Sequence, residues 1–114
     1  MPKRRTDRAI AGTALLFAAL GDPTRLSLLQ QLARDGPASI SALAANVATT
    51  RQGVTKHLHV LAEAGILEGE RRGREHIWAI NPGRLTEARR RLDLIARGWD
   101  EALGRLKAHL ERRW

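Results

Sequence analysis

Six polar residues stand at spacings that suit reading the edges of base pairs. Thr50, Arg51 and Gln52 are consecutive, Thr55 and Lys56 follow one helical turn later, and His59 one turn beyond. Arg presents two donors matched to guanine, Gln pairs with adenine in the same bidentate way, and Thr meets a base edge or the thymine methyl. Lys56 suits a phosphate, which fixes position without reading sequence. A second group, Arg71, Arg72 and Arg74 around Gly73, places three guanidinium groups on one small loop. Such a tip fits phosphates or an adjacent minor groove, with Glu68, Glu70 and Glu75 offsetting part of its charge. The plainer alternatives are a solvated helix face and a soluble hairpin tip.

Other chemistry is excluded by what is missing. The chain has no cysteine, so disulfides, thiolate metal sites and cysteine nucleophiles do not arise. His57 and His59 lie two apart on a helix and point to different faces, and His57 borders an apolar stripe as a packing residue. Asp93, Asp100, Glu101 and His109, with Glu87 and Glu111, are the candidate ligands of the last helix, and they lack a paired-histidine spacing. No nucleophile–base pair, glycine-rich phosphate loop or paired carboxylate stands out. The expectation is a protein that is not an enzyme and that uses neither metal nor cofactor.

The elements that must position these residues follow from periodicity. Ile10, Leu16, Phe17 and Leu20 make an apolar helical stretch ending at Gly21. Asp22-Pro23 opens a second helix as N-cap and first-turn proline, with Leu26, Leu29 and Leu32 on one face and Asp35-Gly36-Pro37 as its end. Ser39 caps a short third helix with Ile40, Leu43 and Ala44 inward. A fourth runs from Thr50 to Ala64: Thr49 and Gln52 fit a capping box, Val54, Leu58 and Leu61 form its buried stripe, and Gly65 suits the left-handed C-cap. Gly53 within it suggests close packing on the third helix. Ile66–Arg71 and Glu75–Ile80 read as a hairpin around Arg72-Gly73-Arg74, with His76, Trp78 and Ile80 sharing a face.

Asn81-Pro82 then caps a last helix over residues 84–111, roughly 42 Å long at 1.5 Å per residue. Leu85, Leu92, Trp99 and Leu106 recur every seven residues, with Ile95, Ala96, Leu103 and Leu110 between them. A seven-residue seam asks for a partner helix, so Leu16, Phe17, Leu85, Leu92, Ile95, Trp99, Leu103, Leu106 and Leu110 are the expected homodimer surface. The alternative is a helix folded back on its own domain.

The fold expected is mostly α with a small β-hairpin wing (α+β), in the order α-α-α-α-β-β-α: a winged helix-turn-helix with a long C-terminal dimerisation helix. The domain layout expected is a basic flexible arm over 1–8, a DNA-binding domain over 9–83 and the dimerisation helix over 84–114. The chain has 114 residues and a formal charge of +8. That excess favours a polyanionic partner. The apolar run Ala9–Leu20 is too short to span a bilayer, and no signal peptide is apparent, so a cytoplasmic location and no membrane role follow as defaults.

The motifs also carry a resemblance. Ala19-Leu20-Gly21-Asp22-Pro23-Thr24-Arg25 resembles the second-helix opening of the ArsR family of bacterial repressors. Thr49 to Leu58 and Val60 to Leu67 resemble that family's recognition helix, and Gly73-Arg74-Glu75 with Ile80-Asn81-Pro82 its wing and the start of its last helix. The resemblance implies a homodimer that binds an inverted repeat in double-stranded DNA and represses transcription. Many such repressors sense metals or metalloids through a cysteine pair in the third helix or an Asp/His cluster in the last. Ile40 to Val47 has no cysteine and the last helix no Asp-x-His pair, so this chain resembles a cysteine-free branch, often of unassigned inducer. The alternatives are a metal- or ligand-responsive repressor of the same family and a winged helix that binds a partner protein.

Overall fold

The computed structural model describes residues 5–113. The elements are α1 (Arg5–Leu20), α2 (Pro23–Asp35), β1 (Ala38–Ser39), α3 (Ile40–Ala44), α4 (Arg51–Glu63), β2 (Leu67–Arg72), β3 (Glu75–Ile80) and α5 (Pro82–Arg113). Of the expected arm, residues 1–4 lie outside the described residues, and α1 already begins at Arg5.

The helix ends follow from side-chain chemistry. The Asp22 carboxylate accepts from the backbone N–H of Arg25 at 3.0 Å, with Pro23 in the first turn where no N–H is needed. That N–H is the main reason the Asp22 carboxyl sits below its usual range. Ser39 caps α3 through the Ala42 N–H. At the end of α4, the Gly65 N–H reaches Ala62 O and the Ile66 N–H reaches Leu61 O, both at 2.9 Å. This is a Schellman closure, and it requires Gly65 at φ 79°. Leu61 and Ile66 are both fully buried, completing the apolar contact of that motif.

One core holds the elements together. Leu16 from α1, Leu28 and Leu32 from α2, Leu43 from α3, Val54, Leu58 and Leu61 from α4, and Ile66 and Trp78 from the wing pack into it. The stripe of α4 is placed as its spacing dictates. The stripe of α2 is not: Leu28 is fully buried and Leu26 is exposed, because the inward face runs through Leu28, Leu29 and Leu32. Leu16 also differs from expectation. It is fully buried within its own chain and therefore drops out of the dimer surface, while Leu85 packs partly on the same core.

The wing is a three-stranded antiparallel sheet in the order β1-β3-β2. Leu67 pairs with Ile80 and Arg72 with Glu75, leaving Gly73-Arg74 as a two-residue turn. Gly73 has φ 62° and no other residue of the turn has positive φ, the sign pattern of a II′ hairpin. β1 was not foreseen. Its two residues pair with Trp78 and Ile77 and tie the start of α3 to the wing.

Gly65 gives the first prediction. Alanine there would sit in the left-handed region, and its Cβ would meet the Arg84 side chain at 3.3 Å. Gly65→Ala is expected to lower stability by about 1–2 kcal/mol. A reduced urea midpoint at unchanged m value would show it.

Candidate nucleic-acid interface

The polar residues stand on two elements, the first turns of α4 and the hairpin of β2 and β3. Thr50, not Thr49, is the N-cap of α4: its hydroxyl accepts from the Gly53 N–H at 3.0 Å. The capping box expected from Thr49 and Gln52 therefore does not form, since the third helical position is Gly53. This frees Gln52, which is exposed beside the exposed Arg51 and makes no side-chain hydrogen bond among the described residues. Gly53 has a local role rather than one against α3. A Cβ there would lie 2.6 Å from the Thr49 hydroxyl and 3.2 Å from that of Thr50.

The other sequence-derived residues divide. Lys56 is exposed. Thr55 is half-buried and donates its hydroxyl to Arg51 O at 3.0 Å. His59 is exposed but leans its ring edge on Trp78, with centroids 5.6 Å apart. His76 stacks on Trp78 at 4.5 Å, in room left by Gly69, where a Cβ would collide with that imidazole. Recognition helix and wing thus meet through His59, Trp78 and His76. Arg71, Arg72 and Arg74 are exposed on the hairpin, with Arg72 3.6 Å from Glu70.

His57 is a packing residue, as expected from its position. Its Nδ1 lies 3.2 Å from a guanidinium nitrogen of Arg25, which also donates to Ala19 O and Ala18 O at the end of α1. An Asp22 carboxylate oxygen lies 3.9 Å from the same Nδ1. His57 and His59 are thereby engaged with different elements.

Sequence reasoning left a second polar cluster unassigned. Arg84 donates to Ala64 O at the C-terminus of α4 and to Glu87, and Arg91 donates to Glu87 and to the Thr13 hydroxyl of α1. The spacing of Arg84, Glu87 and Arg91, three and then four residues apart, was the signal available for it. Hydrogen bonds from Arg91 first, and then Arg84, hold the Glu87 carboxyl below its usual range. The group is therefore anionic at neutral pH.

A helix-turn-helix domain family matches residues 20–70. The HTH-type transcriptional regulator Rv2034 of Mycobacterium tuberculosis is 33% identical over 87 residues, 76% of this chain and 78% of its own. An ArsR-like transcriptional regulator from Rhodococcus sp. RHA1 superposes with a TM-score of 0.74 at 35% identity, covering 87% of this chain and 92% of that one. The chain belongs to the ArsR family of winged helix-turn-helix transcriptional regulators. The structure of AntR, an antimony-specific transcriptional repressor, is also similar, at 32% identity and TM-score 0.60 over 85% of this chain and 86% of that one. Within this ArsR-family chain, the mostly helical fold, three-stranded wing and long last helix agree with the class expected from sequence. No helix is long and apolar enough to cross a membrane among the described residues.

Proposed function

We propose that this ArsR-family regulator is a homodimeric repressor that binds an inverted repeat in duplex DNA without a metal. The observation that carries the reading is the face of α4, where Arg51, Gln52 and Lys56 stand exposed opposite the buried Val54, Leu58 and Leu61. A helix of this kind fits the major groove, which is wide enough to admit it. Arg51 and Gln52 read bases, Thr50 and Thr55 add shorter-range contacts, and Lys56 holds a phosphate. His59 reaches the backbone from the junction with the wing. Arg71, Arg72 and Arg74 follow phosphates beside the groove.

The dimer is supported by α5. Every residue from Leu92 to Arg112 is exposed, including Trp99 at 67% and Leu103 at 58%. A helix that leaves its own domain with such a stripe buries it against another helix. Beyond Leu85, the exposed seam Leu92, Ile95, Trp99, Leu103, Leu106, Leu110 steps by three and four residues, with two fours in succession at Trp99 and Leu103. That extra step relaxes the left-handed supercoil a strict heptad would impose. Phe17 extends the surface: it lines an apolar groove of about 590 Å³ between α1 and α5, with Ile10, Leu94 and Ile95.

Repression is supported by the family and by AntR, itself a repressor. The metal-free reading is supported by the donor set: the chain has no cysteine, His57 is held by Arg25, and His59 rests on Trp78. The two-fold axis of a dimer would place its recognition helices on half-sites roughly 34 Å apart.

The wing is tested by salt. Each phosphate contact contributes about 0.9 to the slope of log affinity against log salt concentration. Replacing Arg72 and Arg74 together by Ala is expected to weaken binding to all duplexes and to flatten that slope by about 1.8. Fluorescence anisotropy between low and physiological salt reads the slope. An unaltered slope would remove the wing from the interface.

A further inference from the structure

We infer that Glu87 is a positioning residue that fixes the recognition helix relative to the α1–α5 platform, and so sets the half-site spacing the regulator accepts. The connection is continuous and short. From the C-terminus of α4, Ala64 O accepts the Arg84 Nε–H at 2.9 Å. The Arg84 side chain also lies over Gly65, so it holds the Schellman turn as well as its carbonyl. Arg84 reaches one Glu87 oxygen at 2.7 Å, and Arg91 reaches the other at 2.7 Å. Arg91 then donates to Thr13 Oγ1 and Ala9 O of α1.

Both Glu87 oxygens are thus used, one toward the DNA-reading helix and one toward the first helix. The three side chains are only 28%, 30% and 23% exposed, so solvent competes weakly for them. Paired charges of this kind add little to stability. What they add is direction, because each guanidinium gives one bond to the carboxylate and its other bonds to a second element, Arg84 to Ala64 O and Arg91 to Thr13 and Ala9 O. Removing Glu87 leaves Arg84 and Arg91 without their shared partner and loosens the tie between the C-terminal end of α4 and α1.

The spacing part of this inference rests on the dimeric reading above, and its test separates the two. The full chain and its Glu87→Ala variant are compared on duplexes carrying the preferred half-sites at native spacing, and with one or two base pairs inserted or removed. Glu87→Ala is expected to bind the native spacing about threefold to thirtyfold more weakly. It is also expected to lose most of its preference for that spacing, while its affinity for random duplex and its salt slope stay unchanged. Thr13→Val, which removes one Arg91 acceptor and leaves Glu87 in place, should shift the spacing profile in the same direction. It serves if Glu87→Ala does not fold. Amide hydrogen exchange at residues 61–66 is read alongside and should accelerate in either variant.

A spacing profile parallel to the parent's in a folded variant overturns the assignment. Unchanged exchange at residues 61–66 overturns it whatever DNA the chain prefers. A preferred site without two-fold symmetry overturns the dimeric reading instead, and the exchange result then decides the clamp.

Discussion

Replacing Arg51 and Gln52 together by Ala is expected to reduce discrimination between the preferred site and random duplex by about thirtyfold or more. A bidentate contact carries about 1–3 kcal/mol of discrimination against the wrong base, and two are removed. Binding to random duplex should fall far less, because the phosphate contacts proposed for the wing and Lys56 are left in place. Neither residue packs in the core, and the N-cap of α4 is Thr50, so the melting temperature should hardly move. This separation is what distinguishes a reading residue from a folding residue. Competition titrations against random duplex measure the ratio. An unchanged ratio would mean that bases are read elsewhere, and the wing would be the next surface to test.

The second large effect is expected from the far end of the molecule. Trp99→Glu places a charge on the exposed seam of α5, where Trp99 is 67% exposed in the single chain. Covering an indole by a partner removes on the order of 100 Å² of apolar surface from water, about 2.5 kcal/mol at 25 cal/mol per Å². A symmetric dimer loses that twice and gains two buried charges. The dimer constant should weaken by about a thousandfold or more, as analytical ultracentrifugation would show. Affinity for a two-half-site duplex should fall by about a hundredfold or more, because the second half-site is no longer bound intramolecularly. The fold should survive, since Leu92–Arg112 carry no core contact. A Trp99→Glu chain that remains dimeric would move the interface to the groove beside Phe17.

These expectations depend on features that differed in how legible they were. Asp22, Ser39, Gly65 and Asn81 are residue types whose local chemistry ends or begins a helix wherever they stand, and each does so here. Val54, Leu58 and Leu61 repeat at helical period and are all buried. Capping at α4 was off by one residue because Thr49 and Thr50 are chemically equal candidates, and only the backbone decides which accepts from the third amide. β1 was invisible because two residues carry no period, and its partners Ile77 and Trp78 lie about forty residues away. Leu16 was misplaced for a related reason: an apolar position does not state whether its own chain or another covers it.

The exposure of Arg51, Gln52, Lys56 and the wing arginines was legible because polar side chains opposite an apolar stripe or on a hairpin tip point away from the fold. The Arg84–Glu87–Arg91 network was not, because its meaning lies in the carbonyl of Ala64 and the hydroxyl of Thr13. Spacing along α5 indicates that three charges adjoin. It does not say that they connect the first helix to the fourth. His59 lies between these cases: its exposure was expected, its rest against Trp78 was not.

The proposed dimer holds two copies of α4 apart through α5 so that together they read a symmetric site. Selection of bound sequences from random duplex DNA with the purified chain tests it most directly. Enrichment of an inverted repeat whose half-sites are centred about 10–11 base pairs apart, one helical turn, is the expected result. Enrichment of a single unrepeated motif, or of nothing above the random pool, would contradict it.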